Sequence, residues 1–533
     1  MKKTLLFVCS VLMCLSTQAA DFESAKDAVK NMGVGWNLGN TLDANDGTKT
    51  WKTTAEHETC WGQPVTKPEL LKMMKEAGFG AIRVPVTWYQ EMDNDGKVNA
   101  AWMKRVKEVV DYVIDNGMYC LLNVHHDTGA DGGTFKSWIK ASGANYTQNK
   151  EKYEGLWKQI AETFKDYDQH LLFEAYNEML DEKNTWNEPV DKQDGYKAIN
   201  DYAKSFVTTV RATGGNNAQR NLVINTYSAS NSPAAMEALE LPEEAGHIAL
   251  QIHNYPDWQS ESHARELVDN LISNIKTKLL SKGAPVIIGE YATLSTWPER
   301  DWYVENREVA LYAMDYFIKK TKEEGIGTFY WMGLSDGVFR SQPLFSQPDL
   351  AETIVKAYYG TTEGFKFPTI EGGVDFICFE GEKALDWGDG ITIPAAAIAA
   401  FDKNVQMLVT YKITDSGSDI QLYDGTWKAK LKFYVDGTEY NADYNPKGSV
   451  DASETVSFTF SESVYNNLKT KGLIIHGAKV TINKIVLKGE ATGIIPVFIT
   501  PKSDNTIYNL QGQRVENPQH GIYIRNGKKF VVK

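Results

Sequence analysis

Cysteine is scarce in this chain. Five occur in 533 residues, and two of them, Cys9 and Cys14, fall within the first twenty. Cys60, Cys120 and Cys378 are left, an odd number whose spacing fits no zinc site, so neither a disulfide framework nor a structural metal is expected to hold the fold. Long apolar runs are missing after the first twenty residues, and no membrane span is expected. Positive charge is in deficit. Removing Lys2 and Lys3 leaves 54 basic residues against 69 acidic ones, a net charge of −15. A chain so acidic is a poor partner for nucleic acid or an anionic membrane, but nothing in it opposes a neutral substrate.

The first twenty residues have the grammar of a signal peptide. Lys2 and Lys3 form a basic start, Leu5 to Leu15 is mostly apolar, and Thr17-Gln18-Ala19-Ala20 offers small residues for cleavage. Met13 precedes Cys14 and Val8 precedes Cys9, so a lipid-modified cysteine is not expected. The remaining chain is expected to be exported, to the medium, the cell surface or the periplasm.

At 533 residues the chain exceeds one hydrophobic core, and its grammar changes near residue 370. From about 33 to 360, eight apolar runs alternate with amphipathic helical stretches. The runs are GVGWNLGN (33–40), AIRVPVTW (81–88), MYCLLNVHH (118–126), HLLFEAYNE (170–178), NLVINTYS (221–228), HIALQIHNY (247–255), PVIIGEYA (285–292) and GTFYWMGLS (327–335). Gly78, Gly117, Gly283 and Gly325 each stand where a helix stops before the next run. Eight such units predict a (β/α)8 barrel over 21–362, with an open doubly wound sheet as the alternative. Gly360 to Gly373 reads as a linker. Residues 370–490 carry short alternating runs separated by turns, which predict a β-sandwich of jelly-roll type. A strand-like tail covers 500–533.

In a (β/α)8 barrel the active site lies at the C-terminal ends of the strands. There the sequence places Arg83, His125 and His126, Asn177 and Glu178, His253 and Tyr255, Glu290 and Tyr291, and Trp331. One such residue is most often a surface ion pair or a satisfied core group. Polar and aromatic groups from six strands converge on one pocket. Strands 4 and 7 lie nearly opposite one another, so Glu178 and Glu290 can approach one bond from both sides, as glycoside hydrolysis requires. His125, His126 and Asp127 have metal-ligand chemistry, but alternation separates the two histidines, and no metal or cofactor is expected. Acidic turns at 43–47 and 93–96 resemble fragments of calcium loops without completing one, and ordinary turns are the expectation.

These runs resemble the successive signatures of glycoside hydrolase family 5, most of all its endoglucanase-like subfamily four. The segments carrying the likeness are GWNLGNTLDA, AGFGAIRVPVTW, LNVHHD, FEAYNE, IHNY, IGEYA and FYWMG, in order from 35 to 333. The resemblance implies Glu178 as acid/base and Glu290 as nucleophile. It implies substrate-site roles for Arg83, His125, His126, Asn177, His253, Tyr255 and Trp331. Met179 departs from the proline that many members carry after the glutamate. The implied function is an endo-acting β-1,4-glucanase working by retention on cellulose, mixed-linkage glucan or xyloglucan. Mannanase or xylanase activity is the near alternative, and a non-catalytic polysaccharide-binding protein the distant one. A monomer is expected.

Three finer expectations follow. Glu174 and Glu178 share a face of strand 4, but Glu174 lies up to roughly 13 Å deeper. It is therefore expected to be an ion-paired residue of the barrel interior. Some of Trp36, Trp61, Trp88, Trp258 and Trp297 are expected to line a groove. Trp387, Tyr411, Tyr423 and Trp427 of the C-terminal domain form a carbohydrate face, sandwich core, or a surface packed on the barrel. That domain looks like the galactose-binding-like jelly rolls attached to bacterial hydrolases. The tail resembles C-terminal segments of exported Bacteroidetes proteins, and sorting or an added sheet are its two readings.

Overall fold

The computed structural model describes residues 22–292 and 307–490, apart from 133–134, 257, 371–373, 388–389, 416 and 442, together with the backbone of four short strands in the tail. The expected signal peptide at 1–20 and Trp297 lie outside the described residues.

Eight parallel strands close into a barrel in chain order. They are β1 (Val34–Asn37), β2 (Phe79–Val84), β3 (Tyr119–Asn123), β4 (Leu171–Glu174), β5 (Leu222–Asn225), β6 (Ile248–Asn254), β7 (Val286–Tyr291) and β8 (Gly327–Tyr330), with β8 paired back onto β1. All eight expected runs form strands, so the closed barrel displaces the open-sheet alternative. Each strand is buried on both faces, which is why the runs read as continuous apolar stretches. The four helix-stop glycines all adopt positive φ. The lower interior is apolar, filled by Ala81, Leu121, Leu172, Val223, Ala249, Ile287 and Phe329. Ala28, Val29 and Met32, at and just after the helix Ala25–Asn31, plug its base.

The strands are shorter than the runs that announced them. β4 stops at Glu174 and β3 at Asn123. His125, Asn177 and Glu178 thus stand on irregular backbone above the rim, freed from strict alternation. Neighbours such as Asn177 and Glu178 can both serve the pocket for this reason.

The second unit has its own core. One sheet runs β10 (Gly390–Ile393), β17 (Leu473–Ala478), β12 (Asp419–Asp424), β15 (Asp443–Tyr444). The facing sheet runs β16 (Ser453–Phe458), β11 (Gln406–Ile413), β18 (Val480–Lys488), β9 (Phe376–Leu385). A hairpin, β13 (Phe433–Val435) and β14 (Thr438–Tyr440), completes a β-sandwich. The segment after β8 reaches into it: the Phe339 and Phe376 ring centroids are 5.3 Å apart, and Gln342 Nε2 donates to Ile377 O at 2.9 Å. Tyr411 lies in the sandwich core, with its hydroxyl donating to Lys447 O at 2.9 Å. In the tail, β19 (Ile507–Tyr508), β20 (Arg514–Val515), β21 (Gly521–Arg525) and β22 (Lys528–Val532) form a further small sheet. Cys60, Cys120 and Cys378 are all unpaired.

Candidate active site

The site begins one layer below the rim, on Arg83. Its guanidinium is fully buried on β2 and cannot remain so without anions. Nε and Nη2 grip Glu174 at 2.7 and 2.8 Å, a two-point pairing of planar groups. Nη1 donates to Glu290 Oε1 at 2.7 Å and to Asn37 Oδ1 at 2.9 Å, and Nη2 to Asn177 Oδ1 at 2.7 Å. Arg83 thus touches Glu290 rather than an open groove. Arg83 therefore serves the site by holding Glu290, and full burial leaves it no face of its own toward the cleft.

Glu174 is equally buried and also accepts from Asn123 and Asn225 at 3.2 Å each. Burial pushes its carboxyl up, but the Arg83 charge and hydrogen bonds outweigh burial and hold it below the usual range. Glu174 is the interior ion-paired residue that its depth on strand 4 implied.

Asn37, Asn123 and Asn225, which close β1, β3 and β5, form a crown of amides that sequence reasoning missed. Asn37 Nδ2 donates to Gly289 O and Phe329 O, Asn123 Oδ1 accepts from Val86 N, and Asn225 Nδ2 also reaches Asn177 O. The signal was present: an asparagine recurs at the end of alternate strand runs, where one interior layer of the barrel is built.

Above this layer stand the two rim carboxylates. Glu290 Oε1 is held by Arg83, and its Oε2 accepts the Tyr255 hydroxyl at 2.6 Å. Burial raises the Glu290 carboxyl above its usual range and the Glu178 charge adds to that; His253, Arg83 and the Tyr255 hydroxyl oppose the rise without cancelling it. Glu178 shares a hydrogen bond with His253 Nδ1 at 2.9 Å. Its carboxyl is pushed up to about 7, chiefly by burial, opposed by Arg83 and assisted by the charge of Glu174. Glu178, His253 and Glu290 each bring one polar atom within 4.8 Å of the others.

Burial disfavours the charged form of the three rim histidines. Burial lowers His253 and His126 to about 4, and His125 well below its usual value. His125 Nδ1 is 3.0 Å from the Asn123 amide, which leaves Nε2 facing Glu290 Oε1 at 4.0 Å. Trp331 stacks on His125 at 5.8 Å with planes 4° apart, and its ring lies against Gly39, where a Cβ would meet it at 2.8 Å. Asp127 is not beside the histidines. It accepts from Trp88 N and Trp138 Nε1 instead.

Asp43, read as an ordinary turn residue, takes the place near them. It is buried, its Oδ2 has no hydrogen-bond partner, and it lies 3.9 Å from His126 Nε2. Burial pushes its carboxyl up to about 7. Asp43, His125 and His126 have the donor types of a cation site and lie close enough for one. Glu178, His253 and Glu290 do too, but Arg83 at 2.7 Å from Glu290 already supplies the cation there.

Of the expected groove tryptophans, Trp36, Trp88 and Trp258 are core residues. Trp61 is half-buried near the cleft, 5.3 Å from His126 and 5.8 Å from Phe135. Trp186, which sequence reasoning passed over, is 52% exposed on the segment after β4. Aromatic residues look alike in sequence, and only the three-dimensional neighbours separate packing from platform.

A raised carboxyl facing an arginine-held carboxylate, both at the C-terminal rim of a (β/α)8 barrel, is the arrangement of a glycoside hydrolase. The family model described as cellulase, glycosyl hydrolase family 5, matches residues 43–336. The chain belongs to that family. It is 34% identical over 360 residues to endoglucanase A of Clostridium longisporum, a match spanning 62% of this chain and 66% of that enzyme. A solved broad-specificity endoglucanase of subfamily four from an uncultured bacterium is 57% identical, with a TM-score of 0.63 over 64% of this chain and 97% of that one. A family 5 enzyme from Prevotella bryantii, solved with a xyloglucan tetradecasaccharide, is 43% identical, with a TM-score of 0.59 over 63% of this chain and 99% of its own.

Proposed function

We propose that this chain is an exported endo-acting β-1,4-glucanase that cleaves by a retaining double displacement. The observation that carries the reading is the closeness of the two carboxylates. Oxygens of Glu178 and Glu290 lie within 4.8 Å. Retaining enzymes hold their carboxyl groups about 5–5.5 Å apart, and inverting ones leave about 6.5–9.5 Å for a water.

Glu290, oriented by Arg83 at Oε1 and by the Tyr255 hydroxyl at Oε2, attacks the anomeric carbon with one carboxylate oxygen. As that bond forms, Glu178 gives its proton to the departing glycosidic oxygen, and the bond to the leaving chain breaks. Esterified Glu290 carries no charge, so less repulsion opposes ionised Glu178. Glu178 then takes a proton from water, the hydroxide oxygen bonds to the anomeric carbon, and Glu290 leaves as carboxylate. Asn177, His125 and His253 line the approach, and Trp331 offers a plane for a sugar ring. No step calls on a metal or cofactor.

The named relatives support the substrate class: endoglucanases by name, a broad-specificity enzyme by description, and one solved with xyloglucan. Cellulose, mixed-linkage glucan and xyloglucan are accordingly the proposed substrates. Export rests on the basic and apolar start of the chain; among the described residues no helix is long and apolar enough to cross a membrane.

The test is release of reducing ends from a panel of polysaccharides, with Glu290→Ala as control, and NMR of the first anomer formed. Release of oligosaccharides from β-1,4-glucans with the β anomer appearing first is the expected result. An α anomer first would overturn retention. Release only from mannan or xylan would overturn the substrate, and activity no greater than Glu290→Ala on every glycan would overturn the enzyme reading.

A further inference from the structure

The sandwich has one face that its own core does not explain. Along β12 and β17, Ile420, Leu422, Leu473 and Ile475 point into the core. Gln421, Tyr423, Ile474 and His476 alternate to the opposite face. There, tryptophans from two different turns flank His476: Trp387 at 5.4 Å and Trp427 at 5.2 Å between ring centroids. Tyr423 joins Trp427 at 5.4 Å. Trp387 and Trp427 remain 55% and 48% exposed. Single exposed tryptophans need no explanation, but two on one histidine with a tyrosine beside them form a patch.

The patch is built rather than incidental. Trp427 sits at φ 61°, a strained conformation for a bulky residue. Asp424 holds it there, accepting from Thr426 N, Thr426 Oγ1 and Lys428 N through Oδ1. The ring then lies over Gly390 of β10, where a Cβ would meet it at 3.1 Å. Beside the rings is a row of hydroxyl-binding groups. Tyr423 donates to Gln421 Oε1 at 3.2 Å, and Gln421 Nε2 to Asp419 Oδ2 at 2.8 Å. Among the described residues, Asp419 Oδ1 is buried without a hydrogen-bond partner. Lys430 pairs with Asp443 at 3.3 Å and Lys471 with Asp424 at 3.7 Å.

We propose that this face, bounded by Trp387 and Trp427 with Tyr423, Gln421, Asp419 and His476, is a carbohydrate-binding surface for a neutral β-linked glucan chain. Aromatic planes suit the C–H faces of a pyranose whose hydroxyls are equatorial. Tyr423, half-buried beside the rings, carries a hydroxyl that can pair with those of the sugar. Lys430 and Lys471 each face an aspartate, which disfavours an acidic glycan or nucleic acid. The choice of glucan rests on the substrate class proposed for the barrel. Seated here, a glucan chain would be held by the same molecule whose barrel cuts it, which raises its local concentration at the cleft.

The test uses the full chain carrying Glu290→Gln, which is expected to hold polysaccharide without cutting it. Its electrophoretic mobility is read in gels cast with xyloglucan, with barley β-glucan, and with no polysaccharide. Adding Trp387→Ala and Trp427→Ala should cut the retardation at least threefold in the glucan gels, and adding Trp331→Ala in the cleft should reduce it separately. Circular dichroism and thermal unfolding of each variant confirm that it is folded. Equal retardation with and without the two tryptophans overturns the proposal, as does the absence of retardation in every glucan gel. If the unmodified chain releases no sugar from any glycan while retardation still depends on the two tryptophans, the surface stands and the hydrolase reading falls.

Discussion

The barrel rim and the outer face of the sandwich both gather aromatic and polar residues, yet they are built on opposite principles. At the rim, the central cation is buried and held by several partners; Arg83 contacts Glu174, Glu290, Asn37 and Asn177. On the sandwich, the rings are open, and Lys430 and Lys471 are paired with Asp443 and Asp424. Burial there would defeat access, while exposure at the rim would return Glu178 to an ordinary carboxylic acid. Chemistry needs perturbed protonation states, and recognition of a neutral chain needs accessible planes.

The contrast breaks first at the carboxylates. Glu290→Ala and Glu178→Ala are each expected to lower kcat/KM on a polysaccharide by about 10⁴-fold or more, since each removes an essential nucleophile or proton donor. A loss under tenfold in either would remove that residue from the mechanism.

Next comes the layer beneath. Glu174→Gln takes a buried charge from Arg83, and breaking such a pair costs about 3–5 kcal/mol. Denaturant unfolding of Glu174→Gln should show that loss, whereas Glu178→Gln should not destabilise. A Glu174→Gln protein as stable as the parent would refute the interior ion-pair role.

Proton linkage sharpens the distinction. Glu178 has a folded-state value of about 7 against an ordinary 4.5. Between those values the folded chain binds more proton there than the unfolded chain, so this group's contribution to stability falls as pH rises and is fully lost above about pH 7. Glu178→Gln should therefore melt above the parent at pH 8 and not at pH 4. Because Glu178 must start protonated, kcat/KM should decline above about pH 7, close to tenfold per pH unit. A flat profile to pH 9 would contradict this.

Smaller effects separate platform from packing. Trp331→Ala should raise KM by about 3- to 10-fold, the worth of an aromatic contact of roughly 0.5–1.5 kcal/mol. Tyr411→Phe should cost about 1 kcal/mol of stability through the lost bond to Lys447 O. Trp387→Ala, at an exposed ring, should cost under about 0.5 kcal/mol. If Trp387→Ala proved the more destabilising of that pair, its ring would be packing and the open-face description would fail.

The sequence was sufficient where local pattern and chemistry coincide. The eight runs and the helix-stop glycines announced a barrel, because apolar continuity and turn geometry are properties of neighbouring residues. Strand depth separated Glu174 from Glu178, because rise per residue is constant. The carboxylates, histidines, Tyr255 and Trp331 could be placed at the rim because strands of one barrel end on one side. The contacts of other groups were beyond reach. Asp127 turned to Trp88 and Trp138 while Asp43 came beside His126, and Trp36, Trp88 and Trp258 went to the core.

Composition and periodicity thus determined by themselves the kind of fold and the set of groups available for chemistry, since both depend on spacing along the chain. The tertiary structure alone decided which carboxyl is raised toward 7, which is clamped by arginine, and which tryptophans face solvent. Those outcomes depend on desolvation and on contacts between residues far apart in the chain: Arg83 and Glu290 are separated by 207 positions, and neither carries in its own neighbourhood any mark of the other.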